Sequence, residues 1–281
     1  LNPTKNTVNF QSSFSLNNAY FSKFNLQGAV SEYNHSERTG DGNNHNINFF
    51  SDLYEIKTSL NHNSIIDVNS EGLIGFHFQN FDQGALGQEE SHLVHTRTSS
   101  FALFALESFN FDLFDLDVGG RLESVNLKNT SMEKGFFPGA FSSTIKREIF
   151  ANNTLFGGFD FTQRAPNAVE LFANGPHHAQ EQFEVGDSNM DVETSYNFSL
   201  GYSYNDGLDS LKIETYYNYI DDFIAADRDG NTTEVEGEDM NNVNFTQYNA
   251  FFTGLEVSGQ YALAKINDFD IISNVMIDFL K

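Results

Sequence analysis

Eight histidines are the residues of this chain best suited to specific chemistry, and their spacing is uneven. Six fall in three groups, His35 with His45, His92 with His95, and His177 with His178, while His62 and His77 stand apart. Neutral imidazole is a good ligand for a borderline metal such as Zn²⁺, and a carboxylate can complete a four-coordinate site. His92 and His95 could share an ion, with Glu89 or Glu90 within reach, and Asp187 offers a carboxylate after His177 and His178. Histidine is also an ordinary polar loop residue, so no single pair proves a site. A separate acidic run from Asp227 to Asp239 has oxygens suited to Ca²⁺. It lacks EF-hand spacing, and a solvated acidic loop explains it more simply.

Other chemistries are thinly represented. There is no Cys, which excludes disulfides, thiolate metal sites and Cys nucleophiles. The formal charge of −24 argues against a nucleic-acid partner, because phosphate binding needs clustered Lys and Arg. Gly186-Asp187-Ser188 has the look of a nucleophile turn, but neither a strand before it nor a helix after it is suggested. No phosphate loop or dinucleotide fingerprint is present. A Ser/His phospholipase carried on a β-barrel is the one enzyme alternative, and the expectation is that the chain is not an enzyme.

The elements that position the histidines are strands. Tyr196, Phe198, Leu200, Tyr202 and Tyr204 alternate with Ser195, Asn197, Ser199, Gly201 and Ser203. Leu116, Val118 and Leu122 alternate with Asp115, Asp117, Arg121 and Glu123. This period of two marks β-strands. Many such runs reach ten residues or more, longer than the five or so usual in globular proteins, and a tilted strand needs about 9–11 to cross a bilayer. Connections also alternate in length. Short turns fall near residues 17–19, 63–68, 109–112, 151–153, 205–209 and 266–268. Long polar connections cover residues 34–47, 80–96, 128–139, 163–189 and 225–249.

Up-and-down strands would send all long connections to one end, together with six of the eight histidines and sixteen Asp or Glu. That asymmetry belongs to outer-membrane barrels. The pattern therefore predicts an all-β protein, a transmembrane antiparallel up-and-down β-barrel whose apolar face meets outer-membrane lipid. Such an acidic mouth would concentrate cations. Wall carboxylates Asp115, Asp117, Glu123, Glu214 and Glu256 are expected to form polar networks with Arg121 and Lys212. About twelve strands are countable, and residues 1–281 read as one partial barrel domain. No apolar run is long enough for a membrane helix, and no signal peptide is visible at Leu1-Asn2-Pro3-Thr4.

One segment carries a family likeness. Arg164-Ala165-Pro166 is followed by Glu170-Leu171-Phe172-Ala173-Asn174-Gly175-Pro176-His177-His178-Ala179, then by Phe183-Glu184-Val185-Gly186-Asp187 and Met190-Asp191-Val192-Glu193-Thr194-Ser195. This resembles the best-marked stretch of TonB-dependent receptors, where a long outer loop descends into a barrel strand. The Gly-Pro-His run resembles the zinc-uptake branch. Residues 82–87, opening with Asp82, and then Ser99 with Phe101-Ala102-Leu103-Phe104-Ala105-Leu106-Glu107 are a second, fairer match. The resemblance implies a plugged barrel of about 22 strands, of which this chain is the middle twelve, with the plug domain and final strands absent. It implies TonB-dependent import of a metal ion or small metal complex bound on outer loops, coupled through the missing plug region. The open alternatives are a siderophore, cobalamin or glycan cargo, and a passive porin or adhesin-like barrel.

Overall fold

The structure, a computed structural model, describes residues 3–38, 46–64, 69–87, 91–267 and 269–281. The first half contains β1 (Thr4–Ser15), β2 (Phe21–Arg38), β3 (Asn46–His62), β4 (Asn69–Gly87), β5 (Thr96–Asn110), β6 (Asp115–Lys128) and β7 (Glu133–Phe136). The second contains β8 (Gly139–Phe150), β9 (Asn153–Arg164), the helix α1 (Ala168–Phe172), β10 (Asn174–His177), β11 (Gln182–Val185) and β12 (Glu193–Asn205). β13 (Ser210–Val235), β14 (Glu238–Ile266) and β15 (Phe269–Leu280) complete the chain. All fifteen strands join one sheet. Three of them, β7, β10 and β11, are four residues long and decorate loops, leaving twelve long strands.

The long strands form an antiparallel meander in which each pairs with its neighbours along the chain. Short turns therefore lie at one end and long connections at the other, as the spacing predicted. Strands run into several connections, β4 as far as Gly87, and one connection differs from its sequence reading throughout. Residues 225–249 are not an irregular loop but a β-hairpin, because β13 and β14 continue through them to a two-residue turn at Glu236 and Gly237. Both turn residues have positive φ, 53° and 87°, the turn geometry whose twist matches paired strands. At about 3.3 Å per residue, the 26 residues of β13 extend roughly 80 Å, far more than a bilayer crossing needs.

The two faces of the wall differ as alternation requires. Phe76, Phe101, Leu103, Leu122, Phe141, Phe198, Leu200, Tyr217 and Phe251 are exposed on one face. Phe76 stacks on Phe101, and Phe159 lies between Phe141 and Phe198. Aromatic cross-strand pairs of this kind add a few tenths to about 1 kcal/mol each. The opposite face is a hydrogen-bonded polar surface. Arg121 Nη2 lies 3.0 Å from Glu123, Lys212 Nζ 2.6 Å from Glu214, and Lys146 Nζ 2.9 Å from Asp117. Asp117 thus pairs with Lys146, a partner that sequence spacing did not suggest.

Close packing is concentrated at the loop end. Leu127, Ala168, Leu171, Phe172, Met190 and Ile224 form a buried cluster, with Val94, Val125, Phe136 and Phe245 against it. Leu127 and Val125 alternate onto the face that carries Arg121 and Glu123. Helix α1 therefore folds over the polar face at the mouth. Asn167 caps it reciprocally with Glu170: the Asn167 side chain accepts from the Glu170 amide, and the Glu170 carboxylate accepts from the Asn167 amide at 2.7 Å. Arg164, at the end of β9, bridges Glu170 at 2.9 Å and Glu193 of β12 at 3.1 Å. The Arg164-Ala165-Pro166 segment thus ties the helix to two strands.

Candidate metal centre

Beyond α1 the chain forms a small hairpin, in which β10 pairs with β11 so that Gly175 opposes Glu184 and His177 opposes Gln182. Residues diagonal across a hairpin share a face, and His177 Nδ1 lies 2.7 Å from Glu184 Oε1. β11 in turn runs parallel to β14, with Glu184 beside Val243, which anchors the hairpin against the wall.

The second long connection meets this hairpin directly. The His92 amide donates to the Pro176 carbonyl at 3.1 Å. The His92 ring lies face to face with that of His177, centroids 4.1 Å apart and planes inclined by 18°. Gly175 makes the approach possible, since a Cβ there would stand 2.7 Å from the Ser91 carbonyl carbon and oxygen. One ligand atom from each of His92, His177 and Glu184 fits within 4.8 Å of the others, and this is the one such trio among the described residues. Glu184 is buried, while His92 and His177 are half-buried.

The electrostatics favour a neutral imidazole at His92. Burial pushes its pKa below the usual histidine value and the neighbouring His177 pushes the same way, against the charges of Glu184 and Glu37. Its Nδ1 is buried without a hydrogen-bond partner among the described residues. A neutral imidazole in a half-buried position near a carboxylate is a good metal donor.

The residues singled out from the sequence are distributed as follows. His92 and His177 come together, although they lie on different connections. His95 does not join them: its Nε2 is 2.7 Å from Asp82, whose other oxygen accepts from Arg97 at 2.7 Å. His95 is thus engaged by Asp82 and is not in the group formed by His92, His177 and Glu184. His178 opens a 3₁₀ turn, with a buried Nε2 that has no hydrogen-bond partner among the described residues. His35 stacks on Phe49 with centroids 4.8 Å apart, and its Nε2 is 3.4 Å from Glu37. Asp187 builds a turn, its amide donating to the Glu170 carbonyl and its carboxylate accepting from the Asn189 amide at 2.8 Å. His45, Glu89 and Glu90 lie outside the described residues. Between Asp227 and Asp239 the chain is hairpin strand and turn, with Asp229 accepting from the Asn231 amide and from Asn244.

Glu184, the carboxylate of this group, is not among the candidate ligands the sequence singles out. Its signal was a seven-residue separation from His177, which a tight hairpin converts into one shared face.

A wall of long up-and-down strands, polar on one face, apolar on the other and with packed loops at one end, is the architecture of a membrane β-barrel wall. The sequence matches the family described as TonB dependent receptor-like, beta-barrel, over residues 2–276. The chain belongs to that family, whose members are receptors of the bacterial outer membrane and not enzymes. Among solved structures it is similar to the copper transporter OprC, with a TM-score of 0.74 and 14% identity over 99% of this chain and 46% of that one. It is also similar to the Serratia marcescens hemophore receptor HasR, solved with its hemophore and heme, at TM-score 0.71 and 14% identity, covering 98% of this chain and 48% of that one. A third is the siderophore receptor PirA from Acinetobacter baumannii, at TM-score 0.71 and 13% identity, covering 98% and 44%. The chain spans less than half the length of these receptors.

Proposed function

We propose that this chain is the wall and outer mouth of a TonB-dependent importer, and that the mouth takes a metal ion of the zinc kind. The observation that carries this reading is the meeting of His92, His177 and Glu184, whose ligand atoms lie within 4.8 Å of one another. Two imidazoles and a carboxylate suit a borderline divalent cation. The apolar face meets outer-membrane lipid, and a plug domain in the complete receptor engages TonB and gates passage. The acidic surface of the mouth raises local cation concentration and speeds capture. Copper, heme and siderophores are named for the similar structures, so the metal's identity rests on this chain's donors alone.

The test is calorimetric titration of the full-length receptor with Zn²⁺ in detergent, beside a variant carrying His177→Ala and Glu184→Gln. Loss of binding in the variant supports the reading. Equal Zn²⁺ affinity in both proteins would sink it and leave the barrel intact.

A further inference from the structure

The apolar face of the wall is not evenly filled. Phe24 of β2, Leu60 of β3 and Ile74 of β4 stand in register, and the same row then drops to Ala105 of β5 and Gly120 of β6. The next row toward the loops is large again, with Phe76, Leu103 and Leu122 side by side. Between these ridges lies a groove of about 700 Å³ lined by the same side chains. No atom lies within 4 Å of the place a Gly120 Cβ would take, so the floor is open. The next row toward the short turns brings a different chemistry. His62 opposes Gly72, and Gly72 opposes Glu107. Each follows or precedes a groove residue by two on its own strand, so all three share the groove's face at a spacing of about 7 Å. Because Gly72 has no side chain, its neighbours meet over it: His62 Nε2 stands 2.5 Å from Glu107 Oε1, and a Cβ on Gly72 would stand 2.7 Å from Glu107 Oε2. His62 Nδ1 is held by the Asn63 carbonyl at 2.9 Å. His62 is 5% exposed and Glu107 29%, so the group within reach of a ligand is the carboxylate.

We infer that this groove is a phospholipid site: it holds an acyl chain, and Glu107 accepts hydrogen bonds from that lipid's ammonium headgroup. This rests on the reading that the apolar face meets lipid. An ionisable pair on such a face is costly, and its cost is least at the membrane boundary. The pair stands there, because β3 ends at His62 and β5 ends soon after Glu107, at Asn110. That boundary is the one with the short turns, which face the periplasm in barrels of this kind, so the lipid belongs to the inner leaflet. Lipid tails are as apolar as Leu, so one acyl chain replaces another with no hydrophobic gain. Retaining a particular lipid therefore needs shape and a headgroup contact, and both are present. A primary ammonium brings charge and N–H donors to the carboxylate, whereas an anionic headgroup brings like charge. The groove spans β2 to β6, each paired on both sides, so no edge of the sheet contributes to it.

The experiment takes the full-length receptor from vesicles of equal parts phosphatidylethanolamine and phosphatidylglycerol and reads the lipids it keeps by native mass spectrometry. The two lipids carry the same acyl chains, and only the first has an ammonium. The expected result is that the parent receptor retains phosphatidylethanolamine over phosphatidylglycerol by about two- to fivefold, the worth of one exposed charge pair. Glu107→Gln keeps the size of the side chain and abolishes that preference. Gly120→Leu fills the open floor and lowers retention of phosphatidylethanolamine by about tenfold, the order of effect that overfilling a packed site has. Retention without headgroup preference in the parent, a preference that survives Glu107→Gln, or unchanged retention in Gly120→Leu overturns the inference. A spin label carried on Leu200→Cys, in the same vesicles, then tells the two readings apart. If dissolved oxygen reaches the label and a water-soluble nickel chelate does not, only the groove is wrong; if the chelate reaches it, the lipid-facing reading is wrong too.

Discussion

The imidazoles of His92 and His177 stack at 4.1 Å although 84 residues, 93 to 176, lie between them in the chain. Two protonated rings at that distance would repel, so the pair requires at least one neutral member. Burial selects His92, whose pKa lies below the usual value of about 6.5. The sign follows directly. A lowered folded-state value stabilises the packed mouth above the unfolded value and loses that contribution as pH falls through the folded one. Metal affinity is expected to weaken as pH drops below about 6.5, where protons compete for imidazole nitrogen. Titrations at pH 7.5, 6.5 and 5.5 check this, and pH-independent affinity would remove histidine from the ligand set.

Gly175 is where the two connections touch. Gly175→Val places methyl groups where Ser91 already stands, with the Cβ alone 2.7 Å from its carbonyl. Overpacking of this kind costs about 1–3 kcal/mol. The expected outcome is faster amide exchange at residues 91–95 and 174–185 and weaker metal binding, with exchange in β8 and β9 unchanged. Exchange that stays slow in both segments would mean that the contact does not hold the mouth together.

Arg164 links β9, α1 and β12 through two carboxylates. Arg164→Ala leaves Glu170, which is 8% exposed, without its cation. A buried carboxylate stripped of its partner costs several kcal/mol, but Arg164 is itself partly exposed, so solvent screening lowers the figure to about 1–2 kcal/mol. Glu170→Gln in the Arg164→Ala background should recover part of the loss, because it removes the uncompensated charge. A double-mutant cycle on unfolding of the full-length receptor reads the coupling. A coupling near zero would make the bridge decorative.

The wall was legible because its physics is local. The row Tyr196, Phe198, Leu200 and Tyr202 against Asn197 and Ser199 needs only the two-residue period of a strand, and turns such as 205–209 declare themselves through Asn, Asp and Gly. The hairpin formed by residues 225–249 was hidden because its polar residues read as loop, whereas its register is set by the Glu236-Gly237 turn and by pairing above the wall. The site was half legible. His92 and His177 are visible as residue types, but their meeting depends on Gly175 and on hairpin packing that no local pattern encodes. Proximity in sequence does not bring His95 to His92 in the structure, where His95 pairs with Asp82, which also bridges Arg97.

Leu200 tests which face of the wall meets lipid. It is 63% exposed, next to the also exposed Phe198, and both belong to the row that runs through Phe141 and Phe159. In water such a row would be an aggregation surface; in a bilayer it is the stabilising one. Leu200→Arg puts a charge into that row, and the expected cost is about 2–4 kcal/mol near the bilayer midplane. Ser199→Arg, one residue away on the polar face, enters a hydrated surface and is expected to cost well under half as much. Reversible unfolding of the full-length receptor in lipid vesicles, followed by tyrosine fluorescence, gives both values. Equal costs at the two positions, or the larger cost at Ser199, would reverse the assignment of the faces and with it the placing of the polar network in the lumen.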